Sequence, residues 1–363
     1  MKFRFDEIAF NSTLKKKPVE EDKIHYIGLE HIEPGNFSIT EWGSDVAPVG
    51  EKLIMKKGDI LFGKRRAYQR KVAIAPFDGI FSAHGMVLRP KTDVIDADFF
   101  PLFISSDTFM ETAMRISVGG LSPTINWKDL KEQEFELPSL EEQQTIAKKA
   151  WAAYRLKEAY QRLLVATDEM VKSQFIEWFG DVEYIPLKNV CLRIGEYGSN
   201  TPATDYDGSV RYLRITDIND DGSLGNEIVS PSTIEEKYYL QTNDFVFART
   251  GNTVGKTYLH TSGKMIYAGY LIRYKLDETC VLPKFLLAYT HTSLFWDWVS
   301  KMKKVGAQPN ISAQQYNELP IPRAEIASQQ RFVSIAEQAD KSKFELKRAI
   351  EAIDKVIKSL ING

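Results

Sequence analysis

A cluster of basic side chains between two apolar runs is the part of this sequence best suited to binding an anion. The segment KRRAYQRK places positive charges on both sides of a tyrosine and a glutamine. Lys and Arg in one loop can hold phosphates, and Arg or Gln can read base edges of DNA through hydrogen bonds. A solvated basic loop explains the same pattern. The candidate DNA-contact residues are Lys64, Arg65, Arg66, Tyr68, Gln69, Arg70 and Lys71.

A second loop, RTGNTVGKT, contains a near match to a phosphate-binding motif. Its GNTVGKT is one residue shorter than GxxxxGK[ST], whose length is set by how backbone amides wrap a phosphate. Strand-like residues follow it, so no helix N-terminus faces the loop. We therefore expect no nucleotide site and interpret it as a glycine-rich loop that carries polar side chains to DNA. Its candidate residues are Arg249, Thr250, Asn252, Thr253 and Lys256.

Residue patterns for catalysis are missing from the sequence. The histidines have no metal-ligand spacing with one another or with the cysteines, and no GxSxG nucleophile motif occurs. Neither a glycine fingerprint for a dinucleotide-like cofactor nor an Asn/Asp-Pro-Pro-aromatic stretch is present. We therefore predict no catalytic residue, no metal and no cofactor in this chain.

Composition indicates a globular protein with room for two domains. Of 363 residues, 43% are hydrophobic and 26% are charged. No apolar run has transmembrane length, the N-terminus does not resemble a signal peptide, and Cys191 and Cys280 suggest reduced thiols, so we expect a cytoplasmic protein. The net charge of -2 gives no hint of nucleic acid, so DNA contact would depend on local basic patches.

Short strands and turns are predicted before residue 138, and they must position the basic loop. The apolar runs and their Gly, Pro and Asn boundaries define these elements. A helical segment is predicted over Asp96–Ile116. The predicted strands lie within Ile24–Ile32, Lys52–Gly63, Lys71–Pro76 and Gly79–Pro90.

Two long segments predict helices of roughly 60 Å and 50 Å at 1.5 Å per residue. The first, Ser139–Gly180, has no internal Pro or Gly, and Ser139 with Glu142 fits a capping box. The second, Ser328–Ile361, has apolar or small residues at coiled-coil spacing with one stutter. A helical hairpin in an ordinary core is the simpler alternative; we favour a rigid spacer.

The element order of the first part of the chain recurs after Gly180. FRFDEIA corresponds to IPLKNVC at an offset of 182 residues, and KKGDILFGKRR corresponds to QTNDFVFARTG at 185. VGGLSPTI corresponds to VGAQPNI, and FELPSLEEQQ to LPIPRAEIASQQ. One unit used twice explains this shared order, whereas two copies are too few for a solenoid. If the two helices pair antiparallel, the chain has approximate two-fold symmetry, and its two domains could each bind one half-site of DNA.

These doubled motifs resemble the specificity subunit of type I restriction–modification enzymes. The resemblance covers the whole chain and rests on GDILFGKRR with NDFVFARTGNTVGK, GGLSPTI with GAQPNIS, and the two helix starts. The start of the second helix, Arg323–Ser328, lacks the LEEQ of the first. The resemblance implies a mixed α/β (α+β) fold with an internal pseudo-two-fold repeat: two similar target-recognition domains joined by two long antiparallel coiled-coil helices. The expected segments are 1–138 and 181–327 for the domains, and 139–180 and 328–363 for the spacer helices.

The resemblance also implies a non-catalytic DNA-specificity role. Each domain is expected to read half of a bipartite double-stranded DNA site in the major groove, while the helices set the spacing. Two methyltransferase subunits would dock on the helices and supply S-adenosylmethionine; restriction subunits, where present, would use ATP and Mg²⁺. The expected subunit-binding residues are Ile146, Ala150, Tyr160, Leu163, Met170, Phe332, Ile335, Leu346, Ile350, Ile353 and Ile357.

Two other functions remain open from the sequence. A stand-alone DNA methylase or nuclease would need cofactor or metal motifs, and none is found. A coiled-coil adaptor with two ligand domains would need no DNA at all. A salt-dependent shift of duplex DNA in the presence of methyltransferase subunits separates the adaptor from the specificity subunit.

Overall fold

The computed structural model describes residues 1–303 and 309–362, which form two compact units. Unit 1 comprises Met1–Gln161 with Arg348–Gly363, and unit 2 comprises Arg162–Lys347. Each unit therefore contains one of the two predicted recognition domains and a part of each long helix.

Unit 1 is a mixed α/β domain that leads into the first long helix. A short two-stranded sheet opens and closes the domain, and three short 3₁₀ helices lie at Glu20–His25, Leu29–His31 and Ala67–Gln69. The strands are β1 Lys2–Arg4, β2 Ala9–Ser12, β3 Lys15–Lys16, β4 Tyr26–Ile27, β5 Lys52–Met55, β6 Ile60–Phe62, β7 Val72–Ile74, β8 Gly79–Phe81, β9 Met86–Pro90 and β10 Glu134–Glu136. The helices are α1 Phe5–Ile8, α2 Phe99–Ser105, α3 Asp107–Arg115, α4 Trp127–Leu130 and α5 Leu140–Phe179.

Two four-stranded sheets form the body of unit 1. Their strand orders are β2-β9-β6-β7 and β3-β5-β8-β4, with β1 and β10 paired separately. Alternating side chains fill the core on one side of the first sheet, where Phe5, Phe62 and Phe109 are completely buried. The sheets therefore hold the predicted basic loop, which follows β6, on a rigid base.

The predicted strands of unit 1 are confirmed except for one range. Ile24–Ile32 is mostly 3₁₀ helix, and only Tyr26–Ile27 is a strand. The physical reason is local: His31 accepts a hydrogen bond from the Gly28 amide through Nδ1 at 2.9 Å, which favours a tight turn over an extended ladder. The predicted helix Asp96–Ile116 is divided at Ser106, whose hydroxyl caps α3 by accepting from the Phe109 amide.

Unit 2 repeats this plan, but its second strand is longer, and two separate two-stranded sheets stand where unit 1 has its second four-stranded sheet. Its 3₁₀ helices lie at Leu187–Val190, Ile215–Asp217, Glu236–Tyr238 and Gly251–Thr253. The strands are β11 Tyr184–Pro186, β12 Cys191–Tyr197, β13 Ala203–Asp205, β14 Arg211–Leu213, β15 Val229–Pro231, β16 Asp244–Ala248, β17 Thr257–Leu259, β18 Met265–Tyr267, β19 Leu271–Leu276 and β20 Pro320–Pro322. The helices are α6 Pro283–Thr290, α7 Ser293–Met302, α8 Ala313–Asn317 and α9 Ile326–Asn362.

The sheet topology confirms the sequence repeat. The order β12-β19-β16-β17 matches β2-β9-β6-β7, and β11-β20 matches β1-β10. The parallel pairs also correspond, because Tyr26 lies opposite Ile80 and Tyr212 lies opposite Ile266. Two equivalent domains are thus built from segments that share few identical residues.

The long helices form close to the predicted positions. Helix α5 begins one residue after Ser139, whose amide donates to the Glu142 carboxylate at 2.9 Å, and the Glu142 amide donates back to Ser139 Oγ at 3.3 Å. This confirms the capping box. Helix α9 begins at Ile326, two residues before the predicted start.

The two helices pair within each unit. In unit 1, Lys157 of α5 forms an ion pair with Asp354 of α9 at 2.6 Å. In unit 2, Asp168 of α5 pairs with Lys343 of α9 at 2.8 Å, and Phe175 packs against Phe332. In unit 2, later residues of α5 thus contact earlier residues of α9, as an antiparallel pairing requires.

Candidate nucleic-acid interface

In unit 1, the basic loop after β6 is hydrogen-bonded to the glycine-rich loop of a second repeated motif. The Arg66 amide donates to the Pro123 carbonyl at 2.7 Å, and the Ile125 amide donates to the Lys64 carbonyl at 2.9 Å. Arg65 forms an isolated β-bridge with Thr124. Two motifs about sixty residues apart in sequence therefore form one surface.

Unit 2 makes the same junction with different side chains. The Gly251 amide donates to the Pro309 carbonyl and the Ile311 amide donates to the Arg249 carbonyl, each at 2.9 Å. Thr250 forms a β-bridge with Asn310. The remainder of the predicted motif, Gly306–Gln308, lies outside the described residues, as does Lys304. The described part of both motifs is joined as in unit 1.

A tight turn contributes a third segment to each surface. The register of β6 with β9 places Lys64 opposite His84, and the Arg65 amide donates to the His84 carbonyl at 3.2 Å. In unit 2 the register of β16 with β19 places Arg249 opposite Tyr270, and the Arg249 amide donates to the Tyr270 carbonyl at 3.1 Å. His84 and Tyr270 are thus equivalent positions, although sequence reasoning assigned no role to either.

Backbone strain distinguishes the two loops. Arg66 has a φ of 56°, in the left-handed region, and the equivalent Gly251 has a φ of 68°. Glycine adopts this conformation freely, whereas a residue with a Cβ loses roughly 1–2 kcal/mol there. Strain of this kind clusters at functional sites. Arg66 and Arg70, which has a φ of 52°, both stand where the repeat uses glycine, and of these two only Arg66 has an exposed side chain.

Solvent access divides the predicted DNA-contact residues of unit 1. Arg66 is exposed, Tyr68 is 54% exposed, and Lys64 and Arg65 are half-buried. Burial and then the nearby charge of Lys15 lower the pKa of Lys64. A bound anion would stabilise the charged form of Lys64, because this ammonium is partly buried and lies near another cation.

Arg70 and Lys71 make internal contacts. Arg70 donates to the Ser105 carbonyl and pairs with Asp107 at 2.6 Å. Lys71 Nζ donates to the Leu29 carbonyl at 2.5 Å. Their charges hold the loop against its own domain, so the open part of the basic segment is formed by the exposed Arg66 and Tyr68 with the half-buried Arg65 beside them.

In unit 2 the candidate residues are also divided between internal and open positions. Arg249 lies over the Tyr197 ring at 4.7 Å, and its buried Nε has no hydrogen-bond partner among the residues that the structure describes. Lys256 donates to the Ile218 carbonyl and pairs with Asp220 at 2.9 Å. The other residues are Thr250, which donates to the Pro309 carbonyl; Thr253, which donates to the Thr250 carbonyl; and Asn252, which is exposed.

The near phosphate-binding motif is followed by strand β17 and not by a helix, as its sequence indicated. Within residues 1–303 and 309–362, no group of three or more His, Cys, Asp or Glu side chains is arranged to hold a metal. In the same ranges, no helix is both long enough and apolar enough to cross a bilayer.

The helix residues expected to bind other subunits differ in their accessibility. Ala150 and Phe332 are completely buried, and Ile357 is 5% exposed, because their side chains pack within this chain. A partner cannot reach these three, which corrects the expectation that they lie on a docking surface. Leu163 and Met170 are each 49% exposed. The half-buried remainder comprises Ile146, Tyr160, Ile335, Leu346, Ile350 and Ile353.

Comparison with solved structures identifies the fold. A chain solved in work on complex assembly and conformational transition of the type I R-M system matches with a TM-score of 0.63 at 16% identity, covering 99% of this chain and 96% of that one. The S subunit of a type I restriction–modification system from M. genitalium gives a TM-score of 0.54 at 15% identity, covering 99% and 94%. The predicted mixed α/β class with two domains joined by long helices is confirmed.

Sequence comparison is more specific over the first unit. The type I restriction modification DNA specificity domain family matches residues 3–153, which is less than half of this chain. The type I restriction enzyme EcoDI specificity subunit of Escherichia coli is 32% identical over 152 residues, which is 40% of this chain. The match spans 33% of that relative's length. The resemblance to specificity subunits of type I systems is thus confirmed in sequence for the first segment, and the solved structures extend the likeness in fold to the whole chain.

Proposed function

We propose that this chain is the non-catalytic DNA-specificity subunit of a type I restriction–modification complex in the cytoplasm. In this proposal each unit reads one half of a bipartite site in the major groove. The observation that carries it is the composite surface built twice from the same three segments. The loop after β6 or β16, the glycine-rich motif and the tight turn recur in the same arrangement with different side chains.

Two domains that recognise different half-sites need the same backbone arrangement with different side chains, which is what the two units have. Phosphate contacts position a protein on DNA without sequence information, whereas side chains at base edges specify the sequence. The basic surface of unit 1 and the Arg249, Tyr197 and Tyr270 surface of unit 2 would then recognise different bases. The near-neutral net charge of -2 is compatible with DNA binding inside a larger complex.

The partners follow from the same proposal. Two methyltransferase subunits dock on the long helices, and S-adenosylmethionine belongs to those subunits. Restriction subunits, with ATP and Mg²⁺, join the complex where they exist. Leu163 and Met170 are one heptad apart and exposed, which gives α5 an apolar stripe suited to helix contacts.

Exchange of one unit's domain tests the proposal. Residues 181–320 are replaced by the equivalent segment of a related protein, and methylated sites are mapped by methylome sequencing in cells that contain the methyltransferase subunits. We expect one half-site to change and the other half-site to remain. A change in both halves contradicts separate reading, and unchanged methylation contradicts a role in specificity.

Activity of the purified chain separates this function from its enzymatic alternative. The specificity subunit alone transfers no methyl group and cleaves no DNA, whereas a stand-alone methylase or nuclease does so. Failure of the assembled complex to shift duplex DNA at low salt would favour an adaptor that never touches nucleic acid.

A further inference from the structure

The surface of unit 1 extends beyond the predicted loop to a histidine surrounded by cations. His84 lies in the turn between β8 and β9, where the Gly85 amide donates to the Ser82 carbonyl at 3.0 Å. Its side chain is exposed, and its Nε2 lies 3.4 Å from Nη1 of Arg65. An arginine can only donate, so this contact requires a neutral imidazole that accepts at Nε2.

Strand pairing brings further lysines to the same end of the sheet. Leu53 of β5 lies opposite Phe81 of β8, so Lys52 lies opposite the residue that begins the His84 turn. Lys15 of β3 pairs with Leu53 from the other side. We call Lys15, Lys52, Lys64, Arg65 and His84 the His84 cluster.

In the described part of the chain, no carboxylate is paired with the cations of this cluster. Within the described ranges, 1–303 and 309–362, Lys15, Lys52, Lys64 and Arg65 form no ion pair with a carboxylate, in contrast to Lys16, which pairs with Asp22 at 2.9 Å. Burial lowers the pKa of His84 first, and then the charges of Arg65, Lys64 and Lys52 lower it further. The charged groups that act on the imidazole, from the loop after β6 and from β5, are all positive.

We propose that the His84 cluster binds a DNA backbone phosphate and that His84 takes up a proton when it does so. This inference rests on the proposed function and deepens it. A phosphate beside Arg65 and Lys64 compensates the charges that keep the imidazole neutral. The protonated ring then donates from Nε2 to a phosphate oxygen as a charge-assisted hydrogen bond.

The linkage fixes the direction of the pH dependence. In the free protein the pKa of His84 lies below its ordinary value, and a bound phosphate raises it. Affinity for DNA is therefore highest below the lower of these two pKa values and falls as the pH rises through the interval between them. The loss is about tenfold for each unit by which the pKa rises on binding.

Unit 2 provides an internal comparison. Tyr270 stands where unit 1 has His84, so unit 2 has no imidazole at that position. The proton uptake should therefore arise from unit 1 alone. His25, which is exposed and whose ring packs edge-on against Phe77, is a second comparison on the same unit.

The test measures affinity of the complex assembled with methyltransferase subunits for mixed-sequence duplex DNA at low salt, from about pH 5.5 to pH 8, an interval that brackets the ordinary pKa of His. The variants are His84→Gln, His84→Lys, His25→Gln and Tyr270→Phe. We expect His84→Gln to remove the pH dependence of wild type and to bind as wild type does at high pH. His84→Lys, which keeps its charge, should bind tightly with no such dependence. His25→Gln and Tyr270→Phe should retain it.

A second readout is the imidazole pKa measured by NMR in selectively labelled complex, with and without the duplex. A rise for His84 on DNA binding supports the proposal. Unchanged pKa with DNA bound, or a wild-type pH dependence that persists in His84→Gln, overturns the proton uptake and leaves the specificity function standing. If the wild-type complex does not bind DNA at all, both the proton uptake and the proposed specificity function are overturned.

Discussion

Gln143 and Gln329 make the same hydrogen bonds, 186 residues apart. The Gln143 side-chain oxygen accepts from the Asp96 amide at 2.8 Å, and its amide donates to the Val94 and Pro138 carbonyls. For Gln329 the partners are the Leu282 amide and the Cys280 and Ala324 carbonyls. Each of these partners also lies 186 residues after its counterpart. The residue thus fastens the start of each long helix to the domain before it.

Removing the side-chain hydrogen bonds of Gln329 should destabilise unit 2. Gln329 is fully buried, so Gln329→Leu leaves one amide and two carbonyls without their partner. Buried unsatisfied groups cost about 1–3 kcal/mol each, and partial relaxation suggests a total of about 3 kcal/mol. Calorimetric unfolding measures the loss. Gln338→Leu, on an exposed position of the same helix, is the matched control. Equal stability of the two variants would show that the hydrogen bonds contribute nothing.

Arg66 should reduce stability while improving DNA binding. Because its φ is 56°, Arg66→Gly is expected to be more stable than Arg66→Ala by about 1 kcal/mol, as measured by denaturant unfolding. Both variants should weaken DNA binding and reduce the dependence of log K on log salt by about 0.9 for each lost phosphate contact. Lys57→Ala, an exposed cation in the turn between β5 and β6, should leave binding unchanged. An unaltered salt slope for Arg66→Ala would remove Arg66 from the interface.

The exposed stripe on α5 should be needed for assembly. Changing both Leu163 and Met170 to Asp introduces charge at positions that are already half in water, so the fold should persist. Burying those charges under a methyltransferase subunit is costly, and co-purification with that subunit should be lost. Val165→Asp, at an exposed apolar position on the opposite face of the helix, is the control. Co-purification of the double variant at the wild-type ratio argues against this surface.

Helix length should set the gap between half-sites, provided that both helices change together. Asp168 lies eleven residues after Lys157 in α5, and Lys343 lies eleven residues before Asp354 in α9. A four-residue insertion in α5 between Lys157 and Asp168 therefore needs a matching insertion in α9 between Lys343 and Asp354. Insertion in α5 alone breaks this register and should lower the unfolding temperature.

The matched insertion should lengthen the methylated site's gap by one base pair. Four residues add about 6 Å and a net rotation of about 40°. One base pair of B-DNA rotates by roughly 35°. A domain turned away from the groove makes no base contacts, so the added rotation, and not the added length, should set the number of extra base pairs. Methylome sequencing gives the gap. An active variant with the original gap would show that the helices do not measure DNA.

The long helices and the repeat could be predicted because their signals are local or periodic. Ser139 with Glu142 marks a helix start in any context, and the absence of internal Pro and Gly in α5 favours its continuation. The two copies preserve the element order even where residues differ. Contacts between residues far apart in the sequence could not be predicted, because they depend on how the elements pack. Nothing in the sequence shows that Arg70 pairs with Asp107, or that strand pairing brings Lys52 near His84.

The short sheets that close each domain have a consequence for how such proteins acquire new recognition. In unit 2, Tyr184–Pro186 pairs antiparallel with Pro320–Pro322, so the chain enters and leaves the domain at neighbouring points. A recombination event with breakpoints in those two strands replaces everything between them and leaves the attachment intact. Genes for such chains can therefore exchange one domain in a single step, while the helices to which the domain is attached stay unchanged.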